Sequence, residues 1–374
     1  MENAFWILIL SSIVYFLRIC FFITGFFKER KIANKFSKNE LQPFVSIIIP
    51  ARNEEENIQR TLSSFEKLNY PKDKYEIIVV NDRSNDNTQR IVENLLQEIP
   101  NLKLLTIEND EQKQKIPGKA GALHFGVEHS KGDIVFVTDA DCTVKENWVE
   151  KIVKFYSDVE TGFVTSYTNV VGSRLFDKIQ AVEWIYMHTM AMGGIGWKQP
   201  LGCYGNNLTF RKSYYETFGG YKKIPFSVTE DLALQQAFHK NGYKVHYYID
   251  PEATVDTKPV KNIVEYFAQH HRWARGGLNL GWRAVIFVLS SFAIWAGFIY
   301  FTIVEDLFHF LLLLAIRMVG DLLLLFPPLV ILKKKSYIFY VPISVFFFLL
   351  VELTIPFSIL NRKVKWKGQI FKST

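Results

Sequence analysis

The 374-residue sequence is poor in cysteine and lacks the common phosphate-binding fingerprints. Its three cysteines, Cys20, Cys142 and Cys203, have no paired spacing, which argues against a disulfide framework or a zinc site and is typical of a reducing compartment. Neither a GxGxxG sequence nor a Walker A sequence occurs. Phosphates are therefore not expected to be bound by either of these motifs, and a dinucleotide-dependent oxidoreductase is disfavoured.

Acidic residues are scarce beside the apolar ends of the chain. Residues 28–38 contain five basic side chains and one acid, and residues 361–374 contain five basic side chains and no acid. The formal net charge is +7. Positive charge beside apolar runs indicates attraction to an anionic membrane face, so we predict membrane lipids as partners and no nucleic acid.

Four apolar runs occur, at 4–27, 284–304, 310–332 and 337–360. The first is long enough to cross a bilayer, which takes about 20 residues. The basic residues that follow it place the polar middle in the cytoplasm, which predicts a multi-pass protein of the cell membrane. Three further crossings would leave the basic tail outside, so either one run is re-entrant or interfacial, or the charge rule fails at the end.

Charged residues interrupt these apolar runs. Arg18 lies in the first run, where it could snorkel to the membrane surface or face another helix. Arg317 and Asp321 are four residues apart in the third run, which predicts an ion pair on one helix face within the membrane. Pro327, Pro328 and further polar residues make the last two runs irregular.

The polar middle alternates short β-rich runs with helical segments. The strands are predicted at 45–50, 75–80, 102–107 and 134–138, and the helices at 54–67, 86–98 and 119–129. This alternation predicts an α/β fold with a doubly wound, mostly parallel sheet. Ligands of such sheets bind at the carboxyl ends of the strands, where we expect Arg52, Glu54, Asp82, Asp139 and Asp141 to meet on one rim.

Two carboxylates follow the fourth predicted strand. Asp139 and Asp141 have a spacing that suits Mg²⁺ or Mn²⁺ bridging the protein to diphosphate oxygens. The alternative is that they only cap a helix. Asp82 is placed to accept hydrogen bonds from a nucleobase edge, and the alternative is a turn-forming residue before the next helix.

A third acidic group, Thr229-Glu230-Asp231, precedes an apolar helical run. Thr229 is a candidate N-cap, which is the structural alternative for this motif. In the functional interpretation the helix dipole keeps Asp231 ionised, so that it accepts the proton of an attacking hydroxyl.

Gln269, Arg272 and Trp273 fall on one face of a predicted helix. The guanidinium suits a diphosphate and the indole suits a sugar face; the alternative is an amphipathic helix at the membrane. His270 and His271 are interpreted as bystanders. The apolar stretch 176–192 is either a membrane-surface helix that meets a lipid-borne acceptor or an ordinary core helix.

Together these motifs resemble a known family. The set is Pro50-Ala51-Arg52-Asn53-Glu54-Glu55, Asn81-Asp82, Gly118–Leu123, Asp139-Ala140-Asp141, Thr229-Glu230-Asp231 and Gln269–Trp273. In this order over 44–283 it is similar to the family 2 glycosyltransferases, in the membrane branch that includes cellulose, chitin and hyaluronan synthases and ceramide glucosyltransferase. The tail Lys365–Gly368 also resembles a family feature near the active site.

The resemblance implies a GT-A fold, an inverting reaction, a Mg²⁺ or Mn²⁺ cofactor and a nucleotide-sugar donor, usually a UDP-sugar. It implies a lipid or glycan acceptor. The implied roles, carried over by position, are catalysis by Asp231 with Glu230, metal binding by Asp141 and Asp139, and donor binding by Pro50, Arg52, Glu54, Asp82, Lys119, Asp139, Gln269, Arg272 and Trp273.

One segment departs from the pattern of processive synthases. An aromatic-aromatic-Cys-Gly-Ser sequence is expected there, and this chain has Gly202–Asn207 in a changed order. We therefore favour transfer to a lipid or lipid-linked acceptor over processive polysaccharide synthesis. A catalytically silent nucleotide-sugar-binding subunit is less favoured, because no catalytic group is missing.

The predicted domain division follows from these patterns. It comprises a membrane anchor at 1–27, a basic linker at 28–43, a GT-A glycosyltransferase domain at 44–283, membrane or interfacial helices at 284–360 and a basic tail at 361–374.

Overall fold

The computed structural model describes residues 2–36, 40–366 and 369–372. Lys38, Lys367 and Gly368, which belong to the predicted basic segments, lie outside these ranges. The α-helices are α1 (Glu2–Phe36), α2 (Ile58–Ser63), α3 (Thr88–Leu95), α4 (Gly118–Glu128), α5 (Trp148–Val153), α6 (Leu175–Gly196), α7 (Lys212–Thr217), α8 (Glu230–Lys240), α9 (Ile263–Gly277), α10 (Trp282–Ile303), α11 (Leu307–Ile331) and α12 (Val341–Ser358).

The strands are β1 (Val45–Ala51), β2 (Tyr75–Asp82), β3 (Leu102–Ile107), β4 (Ile134–Val137), β5 (Thr143–Val144), β6 (Thr161–Ser166), β7 (Thr168–Val170), β8 (Leu208–Arg211), β9 (Lys244–Tyr248), β10 (Val255–Thr257), β11 (Lys363–Trp366) and β12 (Gln369–Lys372). Seven form the main sheet in the order β3-β2-β1-β4-β8-β6-β9. A smaller sheet has the order β5-β10-β7, and β11 pairs with β12 as a hairpin.

The main sheet is the doubly wound, mostly parallel sheet that the sequence predicts. Strands β1, β2, β3 and β4 pair in parallel, and β8 is antiparallel to both of its neighbours. Nearly every residue of β1 and β2 is buried, because continuous β-branched runs suit strands that are covered on both faces. The carboxyl ends of β1, β2 and β4 therefore share one edge of the sheet.

The predicted helix at 54–67 differs most from the structure. Asn53 has a φ of 54°, and residues 54–57 form a turn closed by the Asn57 N–H bonding to the Glu54 carbonyl at 2.9 Å. Helix α2 therefore begins only at Ile58, and residues 64–67 form a 3₁₀ turn. Because Asn53 adopts a left-handed conformation, the backbone turns at the end of β1. Residues 54–57 therefore lie beside the carboxyl end of the strand, before α2 begins.

Helix α1 continues through residues 28–36, which the sequence assigns to a basic linker. Its 35 residues make it about 52 Å long, which exceeds the hydrocarbon thickness of about 30 Å. The additional length is fixed to the sheet, because Glu29 Oε1 accepts from His246 Nδ1 at 2.9 Å, and Phe36 packs 5.0 Å from Phe155. The anchor and the sheet are therefore joined by buried contacts.

Helices α1 and α6 cross at unusually short range through glycines. A Cβ atom built on Gly25 would lie 2.0 Å from the Gly193 carbonyl oxygen, and one on Gly196 would lie 1.9 Å from that of Gly25. Only residues without a side chain permit such an approach. Most of α6 is buried, so the stretch 176–192 is a core helix, and it packs directly on the anchor.

Within the described ranges, four helices are long and apolar enough to cross a membrane: Glu2–Phe36, Trp282–Ile303, Leu307–Ile331 and the segment Lys335–Phe357. Their interior contains the predicted ion pair, with Arg317 Nε 2.7 Å from Asp321 Oδ2. Glu352 of α12 extends it, at 3.0 Å from Arg317 Nη1 and 3.4 Å from an Arg18 nitrogen. Arg18 thus faces other helices, as one of the two predicted alternatives states.

Helix α12 has both of its ends near elements of the sheet domain. Before it, the Tyr337 ring lies 5.3 Å from Lys178 Nζ at the start of α6. After it, the Ile359 carbonyl accepts from Arg275 Nη1 of α9 at 2.9 Å. Helix α11 also ends there, where Lys334 Nζ donates to Asn169 Oδ1. Helix α12 therefore lies along the domain, and the tail begins beside α9.

Candidate active site

Every residue to which the sequence assigns a catalytic, donor-binding or metal-binding role lines one pocket of about 520 Å³ at the carboxyl ends of β1, β2 and β4. This rim is the one that the alternation of strands and helices predicts. The pocket brings together Pro50, Arg52, Glu54, Asp82, Lys119, Asp139, Asp141, Glu230, Asp231, Gln269, Arg272 and Trp273. The convergence is a structural finding, and the role of each residue stays a prediction.

Asp82 lies at the end of β2 with both carboxylate oxygens held by cations. Arg83 Nε lies 2.9 Å from one oxygen and Lys113 Nζ lies 3.0 Å from the other. The turn-forming role falls instead to Asn81, whose side chain accepts from the Ser84 N–H at 3.2 Å. Lys113 is fully buried and was not found by sequence reasoning, because it lies in a polar loop without a recognisable motif.

Arg52 and Glu54 occupy the turn after β1. The Glu54 backbone N–H donates to Thr88 Oγ1 at 2.7 Å, which fixes the turn against α3. Arg52 Nε and Nη1 are shielded from solvent and have no hydrogen-bond partner among the described residues. Buried donors are normally satisfied, so this guanidinium is available to an anionic or carbonyl-bearing ligand of the pocket.

Asp139 and Asp141 project from the loop that follows β4. The loop is held by α2, where Thr61 Oγ1 donates to the Ala140 carbonyl at 2.8 Å and Arg60 Nη2 donates to the Asp141 carbonyl at 2.7 Å. The loop leads into β5, and the next helix is preceded by Asn147. The two carboxylates therefore do not cap a helix, which leaves them facing the pocket.

The thiol of Cys142 joins these carboxylates in a group whose ligand atoms lie within 4.8 Å of one another. Burial and the neighbouring Asp141 carboxylate raise the pKa of the Cys142 thiol well above its usual value. The thiol keeps its proton and donates to Asp141 Oδ1 at 3.3 Å. The remaining donors are carboxylate oxygens, which fit a hard divalent cation such as Mg²⁺ or Mn²⁺.

Lys119 bridges the acidic motifs from the start of α4. Its Nζ atom lies 2.5 Å from Asp139 Oδ1 and 3.5 Å from Glu230 Oε1. Burial disfavours the charge, but the carboxylates of Asp139 and Glu230 outweigh it and raise the pKa of Lys119. The ammonium group is therefore a fixed positive charge in the centre of the pocket.

Asp231 lies in the first turn of α8, and its pKa differs from that of an ordinary aspartate. Burial and the adjacent Glu230 carboxylate raise the pKa of Asp231 to about 7, against the opposing effect of Lys119. Burial and the Glu230 carboxylate thus oppose the helix dipole, which is expected to keep this group ionised. Thr229 occupies the N-cap position of α8, as the alternative predicts, but its side chain makes no capping hydrogen bond.

The segment Gly202–Asn207 reaches Asp231 despite its changed order. A Cβ atom on Gly205 would lie 3.2 Å from Asp231 Oδ2 and 3.2 Å from Lys119 Nζ. Gly205 thus lets this loop close on the acidic motif. Tyr204 beside it lines the pocket.

Helix α9 carries Gln269, Arg272 and Trp273 into the pocket on one face, as predicted. The Trp273 ring packs 5.7 Å from Trp184 of α6 and 6.1 Å from Tyr204. Trp184 lies in the stretch 176–192, for which the sequence predicts either a membrane-surface helix that meets the acceptor or a core helix, and it was assigned no individual role. Helix α9 also packs on α12, and its position relative to a membrane stays a prediction.

The helix is docked on the acidic motif by Gly276, where a Cβ atom would lie 2.0 Å from Thr229 Oγ1. Its histidines have defined partners. His270 Nε2 lies 2.9 Å from Glu183 Oε1, and His271 Nε2 lies 2.9 Å from the Asn361 carbonyl oxygen. The tail continues from there to Val364, which lines a small cavity with Lys119, Glu230 and Arg272. The tail is therefore near the pocket, as the resemblance implies.

Comparison with known proteins identifies the family. The family model described as glycosyl transferase family 21 matches residues 4–374. The probable glycosyltransferase YdaM of Bacillus subtilis is 31% identical over 327 residues, which cover 83% of this chain and 75% of that protein. The β-monoglucosyldiacylglycerol synthase of Trichormus variabilis is 28% identical over 242 residues, which cover 63% of this chain and 49% of that protein.

A solved structure, the mannosyltransferase PcManGT from Pyrobaculum calidifontis in complex with GDP-Man and Mn²⁺, matches with a TM-score of 0.55 and 19% identity. It covers 90% of this chain and 99% of that one, which establishes the GT-A fold. The motifs indicate the family 2 branch, and the match to a family numbered 21 confirms the recognition as a GT-A glycosyltransferase. The chain therefore belongs to glycosyltransferase family 21 and is a glycosyltransferase of the GT-A fold.

Proposed function

We propose that this chain is an inverting, metal-dependent glycosyltransferase that moves a sugar from a nucleotide-sugar, expected to be a UDP-sugar, to a hydroxyl of a lipid or lipid-linked acceptor. One observation carries the proposal. The pocket that holds the acidic motifs shares Tyr204 and Trp273 with a mostly apolar cavity of about 320 Å³ between the membrane helices. A polar donor and an apolar acceptor thus have adjoining sites.

Asp231 is the proposed general base. A carboxylate whose pKa is about 7 holds the proton of an attacking hydroxyl far better than an ordinary aspartate does. As the acceptor oxygen bonds to the anomeric carbon, the bond from that carbon to the diphosphate oxygen breaks. The hydroxyl proton goes to Asp231. A single displacement of this kind inverts the anomeric centre.

The departing diphosphate is negative and needs nearby positive charge. Lys119 and Arg272 line the pocket, and an arginine fork binds phosphate oxygens in a bidentate manner. Asp139 and Asp141 would hold Mg²⁺ or Mn²⁺, which when bound neutralises charge on the leaving group. Glu54, Asp82 and Arg52 lie at the far side of the rim, where we place the nucleoside.

The name of the Trichormus relative, a monoglucosyldiacylglycerol synthase, supports a lipid acceptor. The arrangement of helices supports a cytoplasmic active site. Basic residues follow the membrane part of α1, and α10 and α11 form an outward and a returning crossing. Helix α12 begins and ends beside elements of the sheet domain, which supports a basic tail on the cytoplasmic side, as its positive charge favours.

The test uses detergent-purified protein, membrane lipid extract and a panel of radiolabelled UDP-sugars with GDP-mannose, each with and without Mn²⁺ or Mg²⁺. We expect one donor to label the organic phase, and only when metal is present. A large water-soluble product would favour a polysaccharide synthase instead. Absence of nucleotide release with every donor would contradict an active enzyme.

The topology has its own test in a Cys20→Ser background. We expect a membrane-impermeant maleimide to label Glu305→Cys in intact cells, and to label Lys335→Cys and Asn361→Cys only after permeabilisation. Labelling of Asn361→Cys in intact cells would mean that α12 crosses the membrane.

A further inference from the structure

The cavity between the membrane helices has a wall of mixed character. Its apolar part includes Phe287, Phe292 and Phe348 of α10 and α12. Its polar part includes Arg18, Glu183 and His270 of α1, α6 and α9, together with Glu352 of α12. A cavity whose wall is partly apolar and partly polar suits an amphipathic ligand, which has apolar chains and a polar headgroup.

Glu183 of α6 is the central polar residue of this wall. It is 4% exposed, and its Oε1 atom accepts from Tyr266 Oη at 2.7 Å and from His270 Nε2 at 2.9 Å. Its Oε2 atom is shielded from solvent and has no hydrogen-bond partner among the described residues. An unsatisfied buried polar atom is costly, and more so when it is charged.

His270 holds this carboxylate in place. Its Nδ1 atom lies 2.8 Å from the Tyr266 carbonyl oxygen, so both ring nitrogens face acceptors and the imidazolium form satisfies both. Burial disfavours that form, but the Glu183 carboxylate outweighs burial and raises the pKa of His270. The Glu183 carboxyl group is therefore fixed through Oε1, and its Oε2 atom has no partner among the described residues.

The unpartnered atoms of the wall define the ligand chemistry. Arg18 Nε and Trp295 Nε1 are donors without a partner among the described residues, and Glu183 Oε2 is an acceptor without one. Hydroxyl groups both donate and accept, whereas an ionised phosphate only accepts. A fully ionised phosphate has no hydrogen to donate, so it would leave the Glu183 oxygen unsatisfied. Donors and acceptor together therefore match a neutral, hydroxylated headgroup.

We propose that Glu183, positioned by His270, is a specificity-determining residue that accepts a hydrogen bond from a second hydroxyl of a neutral lipid acceptor, beside the hydroxyl that receives the sugar. The inference rests on the proposed function, because it assumes that the cavity receives the acceptor. It adds that a headgroup with a second hydrogen-bond donor is preferred over one with a single hydroxyl and over a phosphate ester.

The experiment uses the full chain in nanodiscs with three probe lipids: monooleoylglycerol, which has two hydroxyls, dioleoylglycerol, which has one, and dioleoyl phosphatidate. The apparent KM for each lipid is measured with the donor that is turned over. We expect the lowest KM for monooleoylglycerol. Glu183→Gln should raise that KM about tenfold, which corresponds to about 1.4 kcal/mol, while kcat and the donor KM change little.

The matched control is Glu29→Gln, because Glu29 forms an equally buried pair with His246 but does not line the cavity. It should leave the ratio of acceptor KM values unchanged. If Glu183→Gln also leaves that ratio unchanged, the inference is overturned. The unmodified protein alone decides the lipid class, since a preference for dioleoylglycerol or for phosphatidate overturns the inference even if the variant does not fold. Donor cleavage without transfer to any lipid would instead contradict the proposed function.

Discussion

The ammonium group of Lys119 lies 2.5 Å from the Asp139 carboxylate. This ion pair occupies the centre of the pocket, between the carboxylates proposed to hold the metal and the motif that carries Asp231. A diphosphate entering the pocket offers Lys119 a second anionic partner, so the lysine is placed to hold the donor.

We expect Lys119→Gln to raise the donor KM by about 10- to 100-fold, because a charged hydrogen bond contributes about 1.5–3 kcal/mol. Donor titrations at saturating acceptor measure the change. Lys103→Gln removes an ion pair with Glu76 at the far side of the sheet and should leave the donor KM unaltered. An unchanged KM in Lys119→Gln would exclude the lysine from donor binding.

Asp231→Asn should lower kcat by about 10²–10⁴-fold, which is the usual contribution of a positioned base. The side chain keeps its size, so nucleotide affinity, measured by calorimetry, should be retained. Asp158→Asn, which removes an ion pair with Lys244 at the end of the sheet, serves as the control. Near-full turnover in Asp231→Asn would show that another group takes the proton.

The pH dependence follows from the raised pKa of Asp231. The base works only when ionised, so kcat/KM should rise as the pH passes about 7 and level off above it. Glu230→Gln removes a neighbouring negative charge that raises this pKa. The rising limb should therefore move to lower pH in that variant, and a limb that stays in place would assign the titration to another residue.

Removal of divalent metal with EDTA should abolish transfer, and Mn²⁺ or Mg²⁺ should restore it. Asp141→Asn should require more metal for half-maximal rate, because it removes a charged oxygen ligand. Cys142→Ser should keep the metal requirement, since the raised pKa of the thiol leaves it protonated. A large loss of metal affinity in Cys142→Ser would make the sulfur a ligand.

Gly25→Val should destabilise the protein strongly, because the new side chain meets the Gly193 carbonyl oxygen of α6. Overpacking typically costs about 1–3 kcal/mol, and here the obstacle is backbone that cannot rotate away. Thermal unfolding in detergent measures the loss. Gly277→Ala is the control, as nothing lies within 4 Å of its Cβ position; an equal melting temperature in both variants would contradict a tight crossing.

The strand edge was predictable because it is encoded locally. Each of β1, β2 and β4 is an apolar run that ends in polar residues, and the parallel arrangement brings these ends together without any knowledge of long-range contacts. Arg317 and Asp321 were predictable for the same reason, since they are four residues apart on one helix.

The features that sequence reasoning missed depend on contacts between distant residues. Glu183 and His270 are 87 residues apart, and Arg18 and Glu352 are 334 apart. No spacing in the chain marks such pairs. Asp231 illustrates a second limit of prediction from sequence. Its position at the start of a helix favours the ionised form, while its burial beside Glu230 opposes it. The balance depends on three-dimensional packing.

The close glycine contacts between α1 and α6 fix the position of the catalytic pocket relative to the membrane anchor. Helix α6 also places Trp184 in the pocket and Glu183 in the cavity wall. The contact between α1 and α6 therefore also determines how far the pocket lies from the membrane part of α1. The packing of α1 on α6 therefore holds the catalytic domain directly against the anchor. For the lipid acceptors proposed above, the reacting hydroxyl would have to lie at one depth, and we expect turnover to depend on membrane thickness and lipid packing as well as on the chemistry of the acceptor.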